Sequence, residues 1–90
     1  MGITAVKIKL MPESVESDLE AIQVRTREII ESEGGKNLQL TEEPIAFGLK
    51  AIIAFFAWDE DKELENLENQ LKEIPHVVSE EVTDMRRAFG

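Results

Sequence analysis

Cysteine and tyrosine are absent from this chain, and it holds one histidine and one tryptophan. Without a thiol there are no disulfides, no thiolate metal sites and no cysteine nucleophile, and the composition suits a reducing compartment. A single histidine, His76, falls short of the three or four nitrogen or sulfur ligands that a zinc site takes. Following Pro75, it reads as a solvated turn residue. Bases are also scarce, with 10 Lys and Arg against 19 Asp and Glu and a net charge of -9. Phosphate backbones bind basic stripes, so this balance weighs against nucleic acid. The only local basic pair is Arg86-Arg87. The longest mostly apolar stretch, Ala51 to Trp58, is far short of the ~20 residues that span a membrane. The start, Met1-Gly2-Ile3-Thr4, shows no secretory pattern, and Val6 stands where a myristoylation pattern takes Ser or Thr. Missing too are a Walker loop, a dinucleotide fingerprint and a nucleophile elbow. The expectation is a cytoplasmic protein with no catalytic site and no cofactor.

What is present is enough for one domain, residues 1–90, with 42% hydrophobic residues. A chain this size buries roughly 60 to 68% of its unfolded surface. Thr4, Val6, Ile8 and Leu10 alternate with Lys7 and Lys9, which predicts a half-buried strand over Ile3 to Leu10. Ser17-Asp18-Leu19-Glu20 has the form of a capping box with Ser17 as N-cap. Leu19, Ile22, Thr26, Ile29 and Ile30 then follow helical spacing, and Gly34-Gly35 supplies a stop, so a helix runs over about Asp18 to Glu33. Asn37 to Glu43 reads as a short strand broken at Pro44. After a turn at Ile45 to Gly48, Leu49 to Trp58 is apolar on both faces, which suggests a central strand.

The acidic run Asp59, Glu60, Asp61 and Glu63 lacks the ligand spacing of a calcium loop and reads as the start of a second helix. Leu64, Leu67, Leu71 and Ile74 form that helix's stripe before Pro75, and His76 to about Met85 is the last strand, patterned through Val78 and Val82. The order β-α-β-β-α-β, with right-handed crossovers, predicts an α+β fold. This is the ferredoxin-like two-layer sandwich: a four-stranded antiparallel sheet with both helices on one face. Many functions use that arrangement, so it decides no activity.

One stretch resists explanation as scaffold: Pro44-Ile45-Ala46-Phe47-Gly48-Leu49-Lys50. Phe47 either folds back over the sheet edge or stands out as an aromatic anchor for a partner pocket. Gly48 allows a backbone conformation closed to other residues, and Pro44 limits the loop's freedom. The third strand is apolar on both sides, so its pattern leaves open which face the helices cover; the assignment taken is that Ile52, Ala54 and Phe56 meet them. Ala51, Ile53 and Phe55 then lie on the open face, where an exposed Ile53-Phe55 pair predicts a partner contact or weak self-association.

With Met11-Pro12-Glu13-Ser14 after the first strand, the Pro44 to Lys50 turn and the His76-Val77 ending, the chain resembles the elongation factor 1-beta family. The likeness extends to the archaeal members and to the C-terminal exchange domain of the eukaryotic ones, over nearly the whole chain. It implies the same ferredoxin-like fold and a guanine nucleotide exchange factor that promotes GDP release from elongation factor 1-alpha, the GTPase that carries aminoacyl-tRNA. By that resemblance Phe47 matches the aromatic that enters a pocket of the GTPase, with Pro44, Gly48 and Lys50 around it. Arg87, with Arg86 adjacent, falls where eukaryotic relatives place a lysine near the magnesium and phosphate region. Arginine there keeps the charge but is bulkier and forked. The alternative from another class is a small-molecule-sensing regulatory domain that dimerises through its sheet. It accounts for an apolar open face but not for the Phe47 turn.

Overall fold

In the computed structural model, which describes residues 2–89, the alternating segment forms β1 (Ile3–Pro12) with Thr4, Val6, Ile8 and Leu10 buried on one face. The remaining elements are α1 (Leu19–Ser32), β2 (Lys36–Ala46), β3 (Leu49–Asp59), α2 (Glu65–Lys72) and β4 (Val77–Phe89). The sheet runs β2-β3-β1-β4 with every neighbouring pair antiparallel. This is the ferredoxin-like order, with β1 and β3 in the centre.

Asp18, not Ser17, is the N-cap of α1, its carboxylate accepting from the Ala21 N–H at 3.1 Å. The Ser17 hydroxyl is engaged one turn earlier, accepting from the Ser14 N–H at 3.2 Å, so the next acceptor along the chain takes the cap. Ile22, Thr26, Ile29 and Ile30 are the buried face of α1. The Thr26 hydroxyl donates to the Ile22 carbonyl at 2.7 Å, which satisfies its one buried polar group. Gly34, at φ 103°, ends the helix.

The acids at Asp59 to Asp61 do not open α2. Asp59 ends β3 opposite Ile3, its carboxylate accepts from the Asp61 N–H at 2.9 Å, and its carbonyl accepts from the Lys62 N–H at 3.0 Å. The Trp58 indole N–H donates to the Lys62 carbonyl at 3.1 Å, and the Lys62 ammonium lies 4.7 Å from the Trp58 ring centroid. These bonds hold a turn in place of a first helical turn. The helix begins at Glu65 without a side-chain cap.

Val6, Ile8, Leu10, Ile52, Ala54, Phe56 and Trp58 of the sheet pack against Ile22, Ile29, Ile30, Leu67 and Leu71 of the helices. The Phe56 and Trp58 rings meet edge to face at 5.9 Å. The helices therefore cover the Ile52, Ala54 and Phe56 face of β3, a choice that its apolar pattern left open. The open face differs from expectation. Ile53 is only 8% exposed and Ala51 is buried, leaving Phe55 at 45%. Ile53 lies between Thr41 of β2 and Lys9 of β1, and Lys9 reaches to Glu43 at 3.7 Å, laying its methylene stem along that face. The exposed pair is a single exposed ring.

Two strands are longer than their patterns suggest. β2 continues through Pro44, which pairs with Lys50, to Ala46. It is an edge strand, with one side free of partners, where proline is tolerated. β4 continues past Met85 to Phe89 because β1 offers it a full-length partner, and Arg86 and Arg87 sit opposite Ala5 and Thr4. They belong to the paired strand, which the sequence pattern ended at about Met85. His76, at φ 71°, lies before β4, and Val78 faces solvent.

Candidate functional site

The β2–β3 connection is tighter than the four-residue turn expected from the sequence. Ala46 pairs with Leu49, so Phe47 and Gly48 alone make the loop. Their φ angles, 54° and 82°, are both positive, the signature of a type I′ hairpin turn. Gly48 adopts this conformation freely. Phe47 does so against a steric cost of ~1–2 kcal/mol. That cost is not offset by packing, since Phe47 is fully exposed, at 101%. Asn or Asp would fit the position better, so the turn places an aromatic in solvent at the expense of stability.

One rung below, Pro44 and Lys50 face each other across the hairpin, and the Lys50 ammonium lies 3.8 Å from the Glu42 carboxylate. Pro44, Phe47, Gly48 and Lys50 thus occupy one end of the sheet. The segment that leaves β1 reaches the same end. Leu10 pairs with Ile52, so the chain after Pro12 runs level with the start of β3. A β-carbon built on Gly48 would meet Val15 Cγ1 at 3.8 Å. Val15 is 59% exposed and Ile45 is exposed too. The loop is tied down at its root: the Glu13 N–H donates to the His76 carbonyl at 2.9 Å, and His76 Nδ1 lies 2.6 Å from Glu13 Oε1. Ser14 and Ser17 close it into a turn. Val15 has no signal in the sequence, because its position beside the hairpin follows from sheet register alone.

Arg86 and Arg87 are not brought to this site. Arg87 lies on the Thr4 and Trp58 rung, nine residues along β3 from Leu49, which is ~30 Å at ~3.3 Å per residue. There Arg87 Nε is 3.3 Å from the Glu60 carboxylate, and Arg86 Nε is 3.1 Å from that of Asp84. The two predicted halves of the site lie at opposite ends of a molecule 42 Å long.

A third feature lies under α2. Glu80 of β4 has both carboxylate oxygens buried without a well-formed hydrogen bond. Its burial, and next the neighbouring Glu68, push its pKa up to about 7, with Lys72 acting in the opposite direction. Among the described residues no three His, Asp or Glu side chains converge as metal ligands. No described helix is long and apolar enough to cross a membrane.

Residues 5–88 match the family of the EF-1 guanine nucleotide exchange domain. The chain is 38% identical over 88 residues to elongation factor 1-beta of Methanosarcina barkeri, covering 97% of this chain and 99% of the relative. It is 42% identical over 88 residues to the protein of that name from Methanothermobacter thermautotrophicus, covering 97% and 98%. To that of Methanocaldococcus jannaschii it is 35% identical over 89 residues, covering 98% and 100%. The matched region runs from β1 through β4 and includes the exposed hairpin turn, so the chain belongs to the EF-1 guanine nucleotide exchange domain family.

Proposed function

We propose that this chain promotes GDP release from elongation factor 1-alpha, the GTPase that delivers aminoacyl-tRNA, and does so in the cytoplasm by binding alone. Family membership supports exchange as the activity. The observation that supports the docking element is Phe47, a fully exposed aromatic on a strained hairpin turn. A ring held clear of its own fold brings a large apolar surface to a pocket without first having to leave the core.

The mechanism is differential binding. The factor binds the nucleotide-free GTPase more tightly than the GDP-bound form and so shifts the GTPase towards release. No bond is made or broken, and no cofactor is required. Because Phe47 and Arg87 are ~30 Å apart by strand rise, they act as two anchors on separate surfaces of the partner. For Arg87 to reach magnesium-binding acids or phosphate, its ion pair with Glu60 must open. The test is release of fluorescent GDP from purified elongation factor 1-alpha. Phe47→Ala is expected to remain folded and to cut stimulated release by about tenfold or more, ~1.4 kcal/mol. A folded Phe47→Ala protein with full activity would overturn the docking role.

The sensing-domain alternative drew on an apolar open face. With Ile53 covered, no specific observation favours it.

A further inference from the structure

We infer that the loop after β1 is the second half of the docking tip and that Val15 enters the partner's interface alongside Phe47. The inference rests on the exchange reading above and extends it to a segment that neither the hairpin nor its motif includes. Three observations carry it.

The first is placement. Val15 flanks Gly48 at van der Waals distance from where a β-carbon would be, so the two loops form one surface. The second is exposure. Val15, Ile45 and Phe47 are all exposed hydrophobic side chains at this end of the sheet. A valine at 59% exposure, on a loop held by two bonds between Glu13 and His76, is presented and not merely left over. The third is charge. Glu13, Glu16, Glu42 and Glu43 lie in the loop and on β2 around the apolar centre; Glu42 pairs with Lys50, Glu43 with Lys9 and Glu13 with His76, so four carboxylates stand against two ammonium groups and the rim keeps a modest acidic excess. An apolar centre within an acidic rim fits a partner surface of the opposite kind, an apolar pocket bordered by Lys and Arg. The occupant is therefore a basic-rimmed pocket on elongation factor 1-alpha, wide enough for a valine and a phenylalanine from two loops.

The absence of cysteine makes a direct contact measurement available. A Val15→Cys chain carries one thiol, and so does Val24→Cys on the exposed face of α1. Each is alkylated alone and in the presence of excess nucleotide-free elongation factor 1-alpha. The expected result is alkylation of the Val15→Cys chain slowed about tenfold by the partner, as for a residue in the water-excluded part of an interface, with the Val24→Cys chain unaffected. In parallel, Val15→Asp is expected to raise the concentration for half-maximal GDP release about tenfold, since a carboxylate does not enter an apolar pocket unpaired. Its thermal unfolding is expected to match the native chain, because Val15 is outside the core. Equal alkylation of the Val15→Cys chain in the free and bound states, while the native chain still accelerates GDP release, overturns the inference and leaves the exchange reading intact. If the native chain does not accelerate release, the exchange reading falls and the inference falls with it.

Discussion

Glu80 of β4 and Glu68 of α2 are two acids facing each other across the helix–sheet interface, with the Glu80 oxygens buried. Burial and the second carboxylate both disfavour the charged form, and Glu80 titrates near 7 in place of its ordinary 4.5. The charged groups acting on it are Glu68 and Lys72 from α2 and, from the next position of its own strand, Glu81. The folded chain therefore binds more protons than the unfolded chain between those two values. By linkage, stability falls as pH rises through that window, and the loss is complete above about 7. We predict that the melting temperature declines from pH 5 to pH 8 and that Glu80→Gln flattens this slope. At pH 8 the Glu80→Gln chain should melt higher than the native one, as a pH series of thermal melts would show.

The turn at Phe47 predicts opposite effects on stability and function. Phe47→Asn places the residue preferred at the first position of a type I′ turn ahead of Gly48. It should stabilise the fold by up to ~1 kcal/mol, which for a domain of this size is ~4–8 °C in melting temperature. The same substitution removes the aromatic and should lower exchange as far as Phe47→Ala does. A melt and a GDP-release assay on one preparation test both halves, and a rise in neither stability nor activity loss refutes the strain argument.

The separation of Phe47 and Arg87 makes a third outcome quantitative. Sites more than about 7–10 Å apart with no shared partner act independently to within ~0.5 kcal/mol. Arg87→Ala is expected to reduce exchange less than Phe47→Ala. The double variant should lose the sum of the two free energies. Strong non-additivity in a double-mutant cycle would mean that the partner couples the two ends.

On the open face, Phe55 stands at 45% exposure beside a covered Ile53. One ring is a small patch by the standard of self-associating surfaces. Sedimentation is expected to show a monomer, with Phe55→Ser leaving the profile unchanged. A concentration-dependent dimer abolished by Phe55→Ser would restore the self-association expected from the sequence.

The features that were legible before any coordinates were local ones. Alternation in Ile3 to Leu10, the stripe from Ile22 to Ile30 and the apolar third strand each reflect a period of the backbone, and each appears where expected. Element ends were less legible, because tertiary partners set them. Asp18 replaced Ser17 as the cap once a neighbouring turn engaged the serine. The acids at Asp59 to Asp61 made a turn because the Trp58 indole tied it down. β4 ran on through Arg86 and Arg87 because β1 could pair with them.

The sequence by itself determined the order of the elements and the identity of Phe47-Gly48 as the residue pair that packing does not explain. Periodicity and turn chemistry are short-range properties, and a linear chain carries them in full. Only the tertiary structure decided that Phe47 is left-handed and wholly exposed, that Val15 lies beside it, and that Arg87 is ~30 Å away at the other end of the sheet. Those facts follow from strand register, which pairs residues far apart in the chain through backbone hydrogen bonds that no local pattern encodes.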